Sequence, residues 1–269
     1  MTESSDQSSN LRLAFLDIQR GLLSFPIFIA LGWNDVRNRY NRSKLGVFWA
    51  SMSILIFVAA IGPVYARLMG VEVRIYLLHL LLGFIIWNYI SSIIMESGRE
   101  FINSAGFLVS FQLSYFTLLF RVVWRNLIVL MYQMLVFLVF SLVLQHPVKL
   151  VWAVAPVALL LLTLNALWMA LLMSVFATRF RDVSELMNNI FRLVFFITPI
   201  MWMPSVDEDL ALVANLNPVY HLIEVYRQPL LYGEVEWNSW HLALLLVAVG
   251  WCVALPVFAK YRNRIAFWL

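Results

Sequence analysis

Six apolar stretches, each long enough to cross a lipid bilayer, occupy most of this 269-residue chain. Hydrophobic residues make up 62% of the sequence and charged residues only 13%. A water-soluble domain has no means of hiding so much apolar surface, whereas runs of roughly 18 or more apolar residues are typical of transmembrane helices. The sequence therefore predicts an all-α membrane protein with six transmembrane helices, at Gly46–Met69, Ile75–Met95, Leu119–Leu144, Val151–Ala177, Leu186–Met203 and Trp240–Ala259.

The segments outside these spans divide the chain further. Residues 1–10 are polar and are expected to form a disordered cytoplasmic tail, followed at 11–45 by an amphipathic helix in the membrane interface. A second piece of this segment is expected to follow Pro26 and to end in a run of basic residues. The apolar stripe of that helix suits either a membrane anchor or a docking surface for a partner. Residues 46–269 form the six-span domain, in which the loop 204–239 is expected to carry two short re-entrant helices on the outer side, around Asp209–Leu216 and Pro218–Leu231.

The distribution of lysine and arginine predicts the orientation. If the N-terminus is cytoplasmic, 15 of the 19 basic residues fall on the cytoplasmic side and only four on the outer side. Cytoplasmic loops of membrane proteins carry such an excess of positive charge. Both termini are therefore predicted to be cytoplasmic, with Arg67, Arg74, Lys149 and Arg227 on the outer side.

The motifs of common enzyme classes are missing from the sequence. It contains no G-x-x-x-x-G-K-[ST] phosphate loop, no H-E-x-x-H and no G-x-S-x-G. The single cysteine, Cys252, lies in the last apolar stretch, and the four histidines are scattered. The chain is therefore expected to be no enzyme and to hold no metal or other cofactor, and nucleic acid is not an expected partner.

Three ordered motifs carry a specific resemblance. They are D-V-R-N-R-Y-N-R-S-K-L-G-V-F-W at Asp35–Trp49, T-R-F-R-D-V-S-E-L at Thr178–Leu186 with F-F-I-T-P-I-M-W after it, and L-N-P-V-Y-H-L-I-E-V-Y-R-Q-P-L at Leu216–Leu230. In this order, and with the terminal R-N-R-I-A-F-W-L, the chain resembles the permease subunits of type 2 ABC exporters for polysaccharides. Exporters of lipid-linked O-antigen are the most similar, and exporters of capsule or teichoic acid share the same layout.

The resemblance implies partners and a location. It implies a homodimer in the bacterial inner membrane, joined by two copies of a separate ABC subunit that binds ATP and Mg²⁺, with lipid-linked polysaccharide as substrate. Export of capsule or teichoic acid remains an alternative. A membrane-embedded glycolipid transferase is an alternative of a different class, but it needs clustered carboxylates or a poised histidine, and the sequence shows neither.

The resemblance also assigns candidate cytoplasmic site residues. The cytoplasmic loop from Glu96 to Leu118, after the second span, is expected to hold the short helix that couples the chain to the ATPase. The turn between the fourth and fifth spans is expected to form a hinge with a local ion pair. The alternative for both groups is that their charges only set the topology. The coupling residues are Gly98, Arg99, Glu100, Phe101 and Ile102, and the hinge residues are Arg179, Arg181 and Asp182.

The resemblance also implies a translocation path between two copies along the first and fifth spans, where aromatic rings would stack on sugars and permit sliding. The alternative is that these rings face lipid and pack helices. The resemblance further implies an outer gate, which we expect at an N-P turn and at an acidic residue three positions before an arginine. The path residues are Trp49, Ser53, Phe57, Tyr65, Phe191, Phe195, Thr198 and Trp202, and the gate residues are Asn217, Pro218, Glu224 and Arg227.

Overall fold

The computed structural model describes residues 2–41, 46–204 and 208–269, with the side chains of residues 2–9 and of Val109 left out. Arg42, Lys44 and Asp207 lie outside the described residues. Within the described part the chain is helical and without strands, as the sequence predicts. The helices are α1 Thr2–Leu23, α2 Phe25–Tyr40, α3 Phe48–Leu68, α4 Val73–Asn103, α5 Ala105–Phe111, α6 Tyr115–Val143, a 3₁₀ helix Leu150–Val154, α7 Ala155–Arg179, α8 Asp182–Ile197, α9 Glu208–Leu216, α10 Pro218–Leu231 and α11 Trp237–Trp268.

Five helices of the described chain are long and apolar enough to cross a membrane. They are α3, α4, α6, α11, and α7 together with the 3₁₀ helix before it, and each covers one predicted span. Helix α4 forms the centre of the bundle, because 78% of its most apolar stretch is buried, against 22% to 33% in the other four. It packs against α3, α6 and α7, and α11 packs on the far side of α7.

The described part of the predicted interface segment 11–45 forms two helices, with the second piece starting next to the predicted proline. The ranges Asn10–Leu23 and Phe25–Tyr40 meet at an angle of 66°, and the two together would make a sixth span if they counted as one. Pro26, in the first turn of α2, explains the break, because proline lacks an N–H and its ring clashes with the carbonyl one turn earlier. Helix α1 also begins at Thr2, where the sequence analysis places a tail through residue 10.

The predicted fifth span, Leu186–Met203, requires a correction. The helix at this place, α8, has 16 residues and ends at Ile197, so it is only about 24 Å long and shorter than a bilayer core of about 30 Å. Thr198 is extended because Pro199 follows it and disfavours the helical region for the preceding residue. The non-helical chain that continues to Met203 is buried at Thr198, Ile200 and Met203. Irregular backbone at membrane depth is tolerated where protein covers it in this way.

The two short helices predicted after this turn are present as α9 and α10. Asn217 separates them, and Pro218 occupies the first turn of α10, where its missing N–H costs nothing. Helix α10 is buried along most of its length and packs against α4, α7 and α11. It therefore belongs to the core of the bundle although it is too short to cross a membrane.

Candidate functional site

A network of charged side chains joins α2, α4 and α6 at the C-terminal end of α4. Two features of the sequence build it: acidic residues spaced by four on α4 and arginines spaced by four on α6. Side chains at that spacing lie on one face of a helix, so each pair faces the neighbouring helix. We call this set the charged network: Asp35, Arg39, Glu96, Glu100, Arg121 and Arg125, with Ser104 and Asn126 as polar partners.

Arg121 ties α6 to α2. Its Nε donates to Asp35 Oδ2 over 2.7 Å and its Nη2 donates to Asp35 Oδ1 over 2.6 Å, which is a bidentate pair. Its Nη1 donates to Ser104 Oγ over 3.2 Å and lies 3.4 Å from Glu100 Oε1. Helix α2 can approach this closely because residue 32 is glycine: a Cβ there would lie 2.9 Å from Trp124 Cδ1.

Arg125 contacts all three carboxylates of the charged network. Its Nε donates to Glu96 Oε2 over 2.8 Å, its Nη1 donates to Asp35 Oδ2 over 2.9 Å, and its Nη2 lies 3.4 Å from Glu100 Oε2. Glu96 also accepts from Arg39 Nη2 and from Asn126 Nδ2, each over 2.8 Å. Three arginines thus face three carboxylates, and the charge of the network is balanced.

The five predicted coupling residues lie in the last two turns of α4, and their side chains point different ways. Gly98, Glu100 and Phe101 are buried, and Glu100 belongs to the charged network. Ile102 is partly buried, and only Arg99 is exposed, paired with Glu185 of α8. The buried residues therefore hold the end of α4 in place and do not present a surface of their own.

One exposed element at this end of the bundle is α5, the seven-residue helix between α4 and α6. Its side chains Phe107 and Phe111 are 36% and 69% exposed and stack on each other with ring centroids 6.0 Å apart. Gln112 ends the helix in the left-handed conformation, with φ of 49°. The signal in the sequence is the F-L-V-S-F run, in which two phenylalanines recur at i and i+4.

The predicted hinge residues are exposed at the turn between α7 and α8. Among the described residues, Arg179, Arg181 and Asp182 form no ion pair with one another. The Arg179 guanidinium instead lies 5.5 Å from the ring centres of Phe180 and of Trp268. Asp182 lies in the first turn of α8, where a carboxylate interacts favourably with the helix dipole.

Aromatic rings connect α3 to α8 across α4. Phe57 of α3 contacts Phe84 of α4 with ring centroids 4.9 Å apart, and Phe84 contacts Phe195 of α8 over 5.4 Å. Trp87 of α4 lies 5.7 Å from Phe191 and 5.6 Å from Phe195. Three predicted path residues therefore belong to one aromatic cluster, to which Phe84 and Trp87 are additions that the sequence analysis missed.

The other predicted path residues differ in their surroundings. Trp49 and Ser53 are exposed on α3, and Tyr65 is partly buried. Trp202 is partly buried and donates to the carbonyl of Phe196 over 3.2 Å. Thr198 is buried and accepts a hydrogen bond from Asn217 Nδ2 over 2.9 Å, so it joins the end of α8 to the start of α10.

The predicted gate residues form a second polar cluster, near the N-terminal end of α4. Asn217 caps α10, its Oδ1 accepting from the backbone N–H of Val219 over 2.9 Å. Glu224 and Arg227 form the expected ion pair. The Arg227 side chain is fully buried, and its Nη1 also donates to the carbonyl of Pro199 over 2.9 Å and lies 3.0 Å from His79 Nε2. One arginine thus joins α10, α4 and the turn after α8.

Neither cluster has the composition of a metal centre. Among residues 2–41, 46–204 and 208–269, no three His, Cys, Asp or Glu side chains are placed to hold a metal ion. The arrangement instead consists of a charge-balanced network at one end of α4, a buried arginine at the other end, and an aromatic cluster between them.

The amino-acid sequence of the chain is similar to that of a known protein family. A family model described as ABC-2 type transporter matches residues 27–231. The chain is also similar to two proteins of Klebsiella pneumoniae, each named O-antigen export system permease protein RfbA. One is 21% identical over 247 residues and the other is 20% identical over 245 residues. Each alignment covers 90% of this chain and 94% of the relative.

Proposed function

This chain belongs to the ABC-2 type transporter family, and on that premise we propose that it is the membrane subunit of an ATP-driven exporter of lipid-linked O-antigen polysaccharide. The observation that carries the substrate class is the similarity to the two O-antigen export permeases, which extends over 90% of the chain. A transport subunit of this family works with an ABC ATP-binding subunit, and the missing phosphate-loop motif is consistent with ATP hydrolysis on that partner.

The proposed contact with the ATPase is α5, supported by the charged network behind it. Helix α5 exposes two phenylalanines, and aromatic residues are enriched among those that dominate protein–protein interfaces. Ser104, at the start of α5, donates to Glu100 Oε1 and accepts from Arg121, so a displacement of α5 is transmitted to α2, α4 and α6. In this proposal α5 is the coupling helix, and the last two turns of α4, with Gly98 to Ile102, support it.

The proposed orientation places α5 and the charged network in the cytoplasm and the Arg227 cluster on the outer side. The 15 to four distribution of basic residues supports it. Both termini are then cytoplasmic, and the cell membrane of a bacterium is the proposed location. The short helices α9 and α10 are the proposed outer gate, held against α4 through Arg227.

The proposed path lies between two copies of the chain, along α3 and α8. Only 22% of the apolar stretch of α3 is buried within one chain, the lowest value among the five long helices. Helix α8 likewise exposes Leu193 and Phe196. A second copy packed near these faces would cover part of this surface and enclose a channel, with Trp49 and Trp202 as candidate stacking faces for sugar rings.

The proposed coupling role of α5 predicts a specific failure of transport. Exchange of both Phe107 and Phe111 for alanine is expected to reduce polysaccharide export at least tenfold, because interface aromatics often contribute more than 1 kcal/mol each. The variant should still insert and associate with itself, since neither ring is part of the core. The measurement is export in cells, together with co-purification of the ATP-binding subunit.

A matched control for this double variant is Phe267→Ala, which removes an exposed phenylalanine near the C-terminus of α11. That variant is expected to export normally. Normal export and normal ATPase association by the α5 variant would contradict the coupling role of α5.

The substrate is tested by deletion of the gene for this chain in its host. The surface O-polysaccharide is expected to disappear while lipid-linked polymer accumulates in the cytoplasm, and a plasmid copy should restore export. Loss of a capsule with an intact O-polysaccharide would transfer the proposal to a different polymer. No change in any surface glycan would contradict the export function itself.

A further inference from the structure

A stripe of polar and aromatic side chains runs along α10 and ends just beyond it. Tyr220, Glu224, Gln228 and Tyr232 follow one another at intervals of four residues, so they lie on one face of the helix. Together with His79 of α4 and Glu234 after α10, they line a cavity of about 480 Å³. The proposed gate uses Glu224 through its pair with Arg227, but no transport role assigned above uses the cavity itself.

Glu224 lies in the wall of the cavity with half of its hydrogen-bonding capacity unused. Its side chain is 3% exposed, and its Oε1 accepts from Arg227. Its Oε2 has no hydrogen-bond partner in the described part of the chain. A buried carboxylate oxygen without a donor is costly, so a ligand that supplies a donor would be stabilised here.

Four further polar side chains of the cavity are uncommitted as well. Within the described ranges, the side chains of Tyr220, Gln228, Tyr232 and Glu234 take part in no hydrogen bond. His79, Tyr220 and Glu224 are buried at the inner end, whereas Tyr232 and Glu234 are exposed at the mouth. The cavity therefore presents donors from hydroxyl and amide groups and acceptors from carboxylate and amide groups to a molecule that enters from solvent.

This combination suits a sugar better than a metal ion. The described residues offer no group of three His, Cys, Asp or Glu side chains for metal binding. Sugar hydroxyls both donate and accept hydrogen bonds, and the apolar face of a pyranose ring packs on aromatic side chains such as Tyr220. The cavity volume lies within the range of about 300–1,000 Å³ that is typical of small-molecule sites.

We infer that this cavity binds one unit or a short stretch of a polysaccharide, and so forms a sugar-binding site in the outer part of the permease. The inference rests on the proposed export function, and it adds a place within a single chain where the polymer is held. Such a site would hold sugar at the outer end of the path, next to the Arg227 cluster that joins α10 to α4.

Direct binding tests the site. The full complex of this chain with its ATP-binding subunit is reconstituted in lipid nanodiscs and titrated calorimetrically. The probe is a preparation of short oligosaccharides released by mild acid from the surface polysaccharide of the host. Saturable binding is expected, and Gln228→Ala combined with Glu234→Gln is expected to weaken it about tenfold, as for the loss of one to two hydrogen bonds.

The matched control is Asn238→Ala, which removes an exposed carboxamide near the start of α11 that does not line the cavity. It is expected to bind the probe as the unmodified complex does. Absence of saturable binding to the unmodified complex, or equal binding by the double variant, would overturn the sugar site. The deletion experiment above reports on export independently, so a failed binding test with lost surface glycan would remove this site and leave the export function.

Discussion

Replacing Arg125 with alanine is expected to lower the free energy of unfolding by about 3 kcal/mol, the lower end of the range for breaking a buried ion pair. Arg125 contacts Glu96, Asp35 and Glu100 at once, and its side chain is only 9% exposed. Its removal leaves three carboxylates with two arginines in a region that water reaches poorly. We expect a loss of free energy of unfolding at the lower end of that range, because Arg39 keeps its contact with Glu96 and Arg121 keeps its contact with Asp35.

The measurement is the midpoint of unfolding of the purified permease in an SDS titration. Arg99→Ala is the matched control, because Arg99 lies close by and also forms an ion pair, with Glu185. Those two side chains are 63% and 69% exposed, and exposed pairs of this kind contribute only about 0–1 kcal/mol. Equal midpoints for the two variants would mean that the charged network does not hold α2, α4 and α6 together.

Replacing Arg227 with methionine is expected to have the larger effect, a loss of about 5 kcal/mol. Arg227 is the fully buried partner of Glu224, and it also contacts His79 and the carbonyl of Pro199. Its removal leaves Glu224 without any donor and releases the turn after α8. The expected result is a permease that is degraded in cells and unfolds at a much lower SDS concentration.

Two further variants separate the loss of the buried pair from a general effect of removing charge. Arg74→Met removes an exposed arginine from the first turn of α4 and is expected to behave like the unmodified chain. Exchange of Glu224 for leucine together with Arg227→Met is expected to restore part of the lost stability, since no buried charge then lacks a partner. A stable Arg227→Met single variant would show that the pair is dispensable.

Much of the fold follows from hydropathy alone. Five of the six predicted spans coincide with long helices, because each contains about 20 predominantly apolar residues. Asn217 and Pro218 predict the turn between α9 and α10. The same asparagine caps the first turn of α10. The pairing of Glu224 with Arg227 followed in the same way from their spacing, because residues three positions apart on a helix are neighbours.

The remaining features depend on contacts between segments far apart in the chain. Thr198 and Pro199 end α8 early, yet hydropathy continues through Ile200 and Met201, so the apolar pattern alone overestimates the helix. The charged network joins Asp35 to residues more than 80 positions away. Glu100 is expected at the contact with the ATPase because residues 98–102 mix charged and apolar side chains, and only the arginines of α6 explain its burial.

The charged network is complete early in the synthesis of the protein. All of its members lie between residues 35 and 126, so they have been synthesised before α7 begins. Domains generally fold from the N-terminus as they emerge from the ribosome. The glutamates of α4 and the arginines of α6 can therefore pair at the membrane surface as soon as α6 has been synthesised. We therefore expect the first three long helices to form a biogenesis intermediate before the second half of the chain is inserted.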